Sequence, residues 1–335
     1  MELKKVLTFR ASSIGDCLMG KYLLENIHAQ FPAARLGIVV AGRAGMIRDL
    51  FAAYPWLEVI EANRRSPRSL FYLWKNFRGS DLIVTQYAGK PGGRFSFPSK
   101  LFARMLAKRG GLIGFHDASR WNEMLYDTLL PQSPSTAPAA LEREALRTAG
   151  IPIVYEYPTM QCLPMPNVLG KFGLVPGWYI VVHLFAGNKN RGLHPDKKRA
   201  LLVALAKELP NTRLVISGGA DDREEAQTAA KGLAATVIAG DATLQELMNL
   251  IVESRGVVSV DTGVAHITAQ LSKPLVVLAT CLGLHWWGEG QYGANAPIAL
   301  FTCSNLCLAG HVYKEYPDCM NKINVEEVAQ RISSA

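Results

Sequence analysis

A chain of 335 residues, 49% hydrophobic and 19% charged, can bury a large core, and its length favours two domains over one. No apolar stretch approaches the roughly 20 residues that a bilayer-spanning helix needs, which excludes an integral helical membrane protein. Met1-Glu2-Leu3-Lys4-Lys5 runs straight into a strand-like segment rather than the apolar region of a signal peptide, so a cytoplasmic location is expected.

Val6 to Phe9 reads as a first strand, followed by a helix from Asp16 to Gln30, a strand Leu36 to Val40 and a helix near Gly45 to Ala53. Val59 to Ile60, a helix near Leu70 to Phe77 and Leu82 to Thr85 continue the alternation. These strands are short apolar runs without polar alternation, the pattern of a parallel sheet covered by helices on both faces. A stretch rich in Pro and Ser, Pro131 to Pro138, precedes a helix at about Ala140 to Thr148. Pro152, Pro158, Pro164, Pro166 and Pro176 then punctuate a segment in which no regular element is expected, read as an interdomain connection. A second alternation follows: strand Tyr179 to His183, helix Asp196 to Glu208, strand Leu214 to Ser217, helix Arg223 to Lys231, strand Thr236 to Ile238 and helix Leu244 to Val252. Strand Val257 to Val260, helix Val264 to Leu271 and strand Leu275 to Leu278 complete it. The fold class is therefore α/β, with two Rossmann-like doubly wound domains, 1–160 and 161–335, facing a central cleft.

The charge divides unevenly between the halves. Residues 1–165 hold 21 Lys and Arg against 13 Asp and Glu, whereas the remainder holds 15 against 15. Arg64, Arg65, Arg68, Lys75 and Arg78, then Lys90, Arg94, Lys100, Arg104, Lys108 and Arg109, are interleaved with aromatic residues from Phe71 to Phe102. Such a basic, aromatic surface attracts polyanions such as nucleic acid, anionic lipid head groups or a phosphorylated glycolipid. The alternative is a solvated face whose aromatics point into the core.

Two loops carry the chemistry. Arg10-Ala11-Ser12-Ser13-Ile14-Gly15-Asp16 and Asp261-Thr262-Gly263-Val264-Ala265-His266 each follow an apolar run and open a helix. Free amides and the positive helix end favour an anion there. Asp261 and Thr262 can cap the second helix, Gly263 admits close approach of a phosphate, and His266 lies one turn on. A plain N-cap with a helix histidine is the competing reading.

The run Asp261 to Pro274 closely resembles the donor-site signature of glycosyltransferase family 9, the bacterial ADP-heptose:lipopolysaccharide heptosyltransferases, and Ser12-Ser13-Ile14-Gly15-Asp16 resembles the same family's N-terminal hallmark. The resemblance implies a GT-B fold and an inverting, metal-independent transfer of heptose from ADP-heptose to a lipid A-linked lipopolysaccharide core acceptor. Asp16 matches the general base, with capping of the helix that starts there as its competing role, and Thr262, Gly263 and His266 match the pyrophosphate site, with Asp261 beside them. In the loop after Tyr179 to His183 the expected cation falls to Arg191, with Lys189 as its substitute. Asp221 fits the ribose-binding acid, with Asp222 as an ordinary cap. Acceptor contacts are expected from Arg10, Ser12, Ser13 and Gly15 of the first loop and from the basic residues Arg64 and Arg94. Leu284 to Gly290, with Trp286 and Trp287, either closes over sugar or base by stacking or buries a tryptophan pair.

Cys303, Cys307, His311 and Cys319 have zinc-ligand chemistry but a loose spacing, and reduced thiols are the preferred reading, so no metal or cofactor is expected. Cys17, Cys162 and Cys281 stand alone, as suits a reducing compartment. The expected partners are a nucleotide sugar, an anionic glycolipid and, peripherally, the cytoplasmic face of the inner membrane, with no nucleic acid. A related transferase using another nucleotide sugar or a protein acceptor is the nearest rival, and a non-catalytic nucleotide or nucleic-acid binder a remoter one. The absence of Gly-x-Gly-x-x-Gly at either domain start counts against an oxidoreductase.

Overall fold

The computed structural model describes residues 2–10, 13–62, 66–87, 95–133, 135–302 and 315–334. The chain forms two compact units, Met1–Pro158 with Gly288–Gly293, and Thr159–Trp287 with Ala294–Ala335. Among the described residues no helix is long and apolar enough to cross a membrane.

The first unit runs β1 (Lys5–Arg10), α1 (Ile14–Gln30), β2 (Arg35–Val40), α2 (Ala44–Leu50), β3 (Leu57–Glu61), α3 (Pro67–Phe77) and β4 (Leu82–Val84), then α4 (Phe97–Leu106), β5 (Leu112–Phe115), α5 (Asn122–Leu125), β6 (Thr128–Leu130) and α6 (Pro138–Thr148). Its parallel sheet has the order β3-β2-β1-β4-β5-β6. β1 is buried from Val6 onward, which explains its unbroken apolar run. α3 and α4 cover the same face of the sheet, where Leu73, Phe77, Ala103 and Leu106 pack on Leu7, Phe9, Ile83 and Leu112. α3, α4 and α6 each begin with a proline in their first turn, where the missing N–H costs nothing. α1 lies buried almost all round, with α6 against it.

The second unit runs α7 (Val168–Phe172), β7 (Tyr179–His183), α8 (Pro195–Glu208), β8 (Arg213–Ile216), α9 (Arg223–Ala230), β9 (Ala235–Val237), α10 (Leu244–Glu253), β10 (Val257–Val260), α11 (Gly263–Gln270) and β11 (Leu275–Ala279). α12 (Glu289–Tyr292), which belongs to the first unit, precedes β12 (Ile298–Thr302), α13 (Asp318–Asn321) and α14 (Val325–Ser333). The second sheet, also parallel, is ordered β12-β11-β10-β7-β8-β9, so counted within each unit the two sheets share one topology. α10 opens with a reciprocal cap in which Thr243 and Glu246 satisfy each other's backbone amides.

Three expectations change. α7 forms inside the proline-punctuated segment, fitting between Pro166 and Pro176 and ending at Gly173, whose φ of 62° suits a glycine. The stretch from α4 to β6, unassigned in the sequence, supplies two strands and two helices. Residues 288–293 return to the first unit because the Gln291 carbonyl accepts from the Ala139 amide at 2.9 Å and Arg143 donates to the Gly290 carbonyl at 2.8 Å.

Candidate functional site

In a doubly wound sheet ligands gather beyond the carboxyl ends of the strands, where the strand order reverses. In the first unit that point lies between β1 and β4, and in the second between β7 and β10. Asp16 follows β1, the turn Lys189–Arg191 follows β7, and Asp261 follows β10.

In the first unit Ser13 is the N-cap of α1. Its hydroxyl accepts from the Asp16 amide at 3.2 Å and donates to the Asp16 carboxylate at 2.5 Å. Asp16 is half-buried and Ser13 exposed, while Gly15 is buried. Arg10 sits deeper. Its guanidinium donates to both carboxylate oxygens of Glu142, on α6, at 2.7 Å, and neither side chain meets solvent. Arg10, expected at the acceptor, is thus paired with Glu142. A Cβ at Gly20 would come within 3.0 Å of the Arg10 side chain, so glycine is what lets α1 lie against it. Burial, with Asp16 adding to it, pushes the Glu142 carboxyl up to about 7 against the pull of Arg10. Burial next to Asp16 also pushes the Cys17 thiol up to about 12, which leaves it a poor nucleophile. Tyr87, buried just after β4, is likewise raised, by burial first and then by Asp16 and Glu142. The Tyr87 hydroxyl and Arg10 Nε have no hydrogen-bond partner among the described residues. Ser12, Arg64 and Arg94 lie outside the described residues.

In the second unit the N-terminus of α11 is the counterpart. Thr262 is its N-cap and, with Gly263, is only half-buried, so the first-turn amides open beyond β10. Asp261 is buried beneath them. It accepts from the Trp287 indole N–H at 3.2 Å, and Arg191 stands 3.6 Å from its second oxygen. Burial raises the Asp261 carboxyl, opposed by Arg191 and by the indole hydrogen bond. His266 approaches Asp261 at 3.6 Å and stacks on Trp287, with ring centres 4.5 Å apart and planes 6° from parallel. Burial, Arg191 and His285 bring its pKa down to about 3, so the ring is neutral and the two groups do not form an ion pair. Gly283 leaves room for this arrangement, since a Cβ there would come within 2.6 Å of an Asp261 oxygen.

Of the two candidate cations, Arg191 reaches this cluster, whereas Lys189 pairs with Glu315 at 3.5 Å and lies over the Tyr316 ring. Asp222 accepts from the Gly219 amide at 2.7 Å and closes its turn, leaving Asp221 exposed at the end of β8. Cys319 is part of the hydrophobic core of this unit, and Cys303, Cys307 and His311 lie outside the described residues.

Three residues in these units have no signal of their own in the sequence. Glu142 and Tyr87 are brought to Asp16 by non-local packing, and no local pattern marks them. His183, held by Ser217 at 3.0 Å and lowered by burial to about 4, ends a strand that was recognised. Of the two roles expected for Trp287, ligand stacking or burial, the ring is buried and stacked on His266.

Residues 185–280 match the family model of glycosyltransferase family 9 (heptosyltransferase). No curated protein matches the chain. Among solved structures, the E. coli ADP-heptose lps heptosyltransferase II is 19% identical with a TM-score of 0.69, each chain covered to 98%. The E. coli heptosyltransferase WaaC, solved with ADP, is 18% identical with a TM-score of 0.70, covering 98% of this chain and 99% of that one. A family 9 glycosyl transferase from Veillonella parvula is 14% identical with a TM-score of 0.70, over 90% and 87% of the two chains. The likenesses establish a GT-B fold for the two six-stranded units.

Proposed function

We propose that this chain is a heptosyltransferase-like glycosyltransferase of family 9 that transfers a heptose from ADP-heptose to a lipid-anchored, anionic lipopolysaccharide core acceptor, with inversion and without a metal ion, at the cytoplasmic face of the inner membrane. The observation that carries this reading is the pairing of chemistries at equivalent switch points: a carboxylate on the first turn of α1 in one unit, and a helix N-terminus with an arginine in the other. The relatives' printed names, which include ADP-heptose and ADP, support the choice of donor.

In the proposed reaction an acceptor hydroxyl attacks the anomeric carbon from the side opposite the diphosphate. The new C–O bond forms as the bond to the diphosphate oxygen breaks, the hydroxyl proton passes to the Asp16 carboxylate, and ADP departs. Ser13 holds that carboxylate in place and, with Gly15, borders the acceptor. Charge developing on the diphosphate is met by the amides of Thr262 and Gly263, by the α11 dipole and by Arg191. Asp261, being buried, works by holding Arg191 and Trp287, and His266 supports the same wall as a neutral ring. Asp221 receives the ribose hydroxyls. The first unit thus serves the acceptor and the second the donor.

A thermal-shift panel tests the donor. ADP is expected to raise the melting temperature more than UDP, GDP or NAD, because a ligand stabilises the state it binds. A preference for UDP overturns the heptose donor while leaving the fold as it is.

A further inference from the structure

The helical layer over one face of the first sheet is built inside out. α4 carries no acidic residue and buries its lysine: Lys100 is fully enclosed, donating to both Asp117 oxygens at 2.7–2.8 Å and to Asn122 at 2.5 Å. Its outward stripe is instead Phe97, Leu101 and Met105, at four-residue spacing, the last two 42% and 52% exposed. The stripe continues onto the next element, where Phe97 touches Trp121 with ring centres 5.6 Å apart and Met124 is 66% exposed. α3 lies beside α4 on the same face, its end tied to the end of α4 through Ser80, whose amide donates to the Leu106 carbonyl at 2.9 Å. It too has no acidic residue, and it presents Phe71 at 65% exposure.

The same elements carry cations: Arg68, Lys75 and Arg78 on and after α3, Lys108, paired with Asp81, and Arg109 after α4, and Arg120 over the Trp121 ring at 4.8 Å. The acidic groups of this layer are few. Asp127 is held by Arg104, Asp81 by Lys108, and Glu58, which Tyr72 of α3 also contacts, by Arg35, with Glu123 exposed beside them. A solvated face has the opposite pattern, with charge at its centre and apolar groups scattered. Exposed aromatic and aliphatic side chains carried with arginine and lysine on the same helices match the boundary of an anionic bilayer, where acyl chains take the former and phosphates the latter.

We propose that the outward face of α3, α4 and α5 is the surface by which this protein docks on an anionic lipid bilayer. The inference deepens the membrane part of the functional reading above by naming the face and the lipid class, and it rests on that reading only for the choice of a lipid-anchored acceptor.

The test uses the full chain and vesicles of phosphatidylcholine with or without phosphatidylglycerol. The protein is expected to sediment with the anionic vesicles, less so as sodium chloride is raised. Phe71→Ser, Leu101→Ser and Met105→Ser are expected to lower vesicle affinity by about tenfold each, and Lys75→Glu or Arg120→Glu by about fivefold or more. All five residues are exposed, so melting temperature and its rise with ADP stay as in the parent. Absence of binding to anionic vesicles, equal binding to both vesicle types, or unchanged binding by the triple serine variant overturns the proposal. A dimer dispersed by those serines assigns the face to a second copy, and capture of single-stranded RNA in competition with vesicles assigns it to nucleic acid. Either result overturns it too. If ADP fails to stabilise the parent protein, the donor reading fails while the vesicle result stands unaffected.

Discussion

The hydrogen bond from Ser13 to Asp16 keeps one carboxylate pinned to the first turn of α1 while leaving it half in solvent. Asp16→Asn preserves that cap but cannot accept a proton, so kcat is expected to fall about 10²- to 10⁴-fold. The dissociation constant for ADP, read by calorimetry, should stay within about twofold. Equal losses in both would make Asp16 a structural cap alone. Histidine chemistry gives a second expectation. His183 and His266 are lowered by burial, from 6.5 to about 4 and about 3, so each binds a proton less readily folded than unfolded. Their contribution to stability is present above about pH 6.5 and is lost as the pH falls toward those lowered values. The melting temperature should therefore fall on acidification, and His183→Asn should flatten that slope. A slope identical to the parent's would show that His183 is not held neutral.

At the level of elements, the Arg10–Glu142 pair ties the end of β1 to α6 beneath α1. Glu142→Ala leaves a buried guanidinium without its counter-charge, at a cost of about 3–5 kcal/mol, visible as a lowered urea midpoint. Replacing both residues by leucine should recover most of that loss, because the penalty belongs to the orphaned charge. No recovery would mean that α6 docks by other contacts. In the second unit, Gly283→Ala must push against the Asp261 carboxylate and, under the proposed donor role, is expected to weaken ADP binding about tenfold. Here the reach of the sequence also becomes clear. Strands such as β1, β7 and β10 were legible because their apolar runs are too short for a helix and rich in β-branched residues, as suits a strand buried on both faces. The loops after them were legible because glycine, threonine and aspartate at a helix start have a physical reason to be there. α4 was not legible, since its periodicity places a lysine inward and Phe, Leu and Met outward, the reverse of the usual cue. Glu142, Tyr87 and Trp287 reach their clusters through tertiary packing, which spacing along the chain does not encode.

On the scale of the whole chain, the second unit is interrupted by a segment that serves the first. Gln291 accepts from the Ala139 amide and touches the Met19 sulfur at 3.1 Å, so α12 finishes the packing of α1 and α6. Residues 1–158 expressed alone lack it, and their α6 amides are expected to exchange hydrogen faster than in the full chain. Matching exchange rates would show that α12 adds nothing. The enclosed Lys100 has a broader effect. With its ammonium fixed to Asp117 and Asn122, α4 cannot roll to tuck its phenylalanine, leucine and methionine away without expelling a charged pair into an apolar layer. The greasy side is thus on permanent display, and colloidal behaviour follows: during purification this protein should adhere to hydrophobic resin at low salt and disperse best in mild detergent.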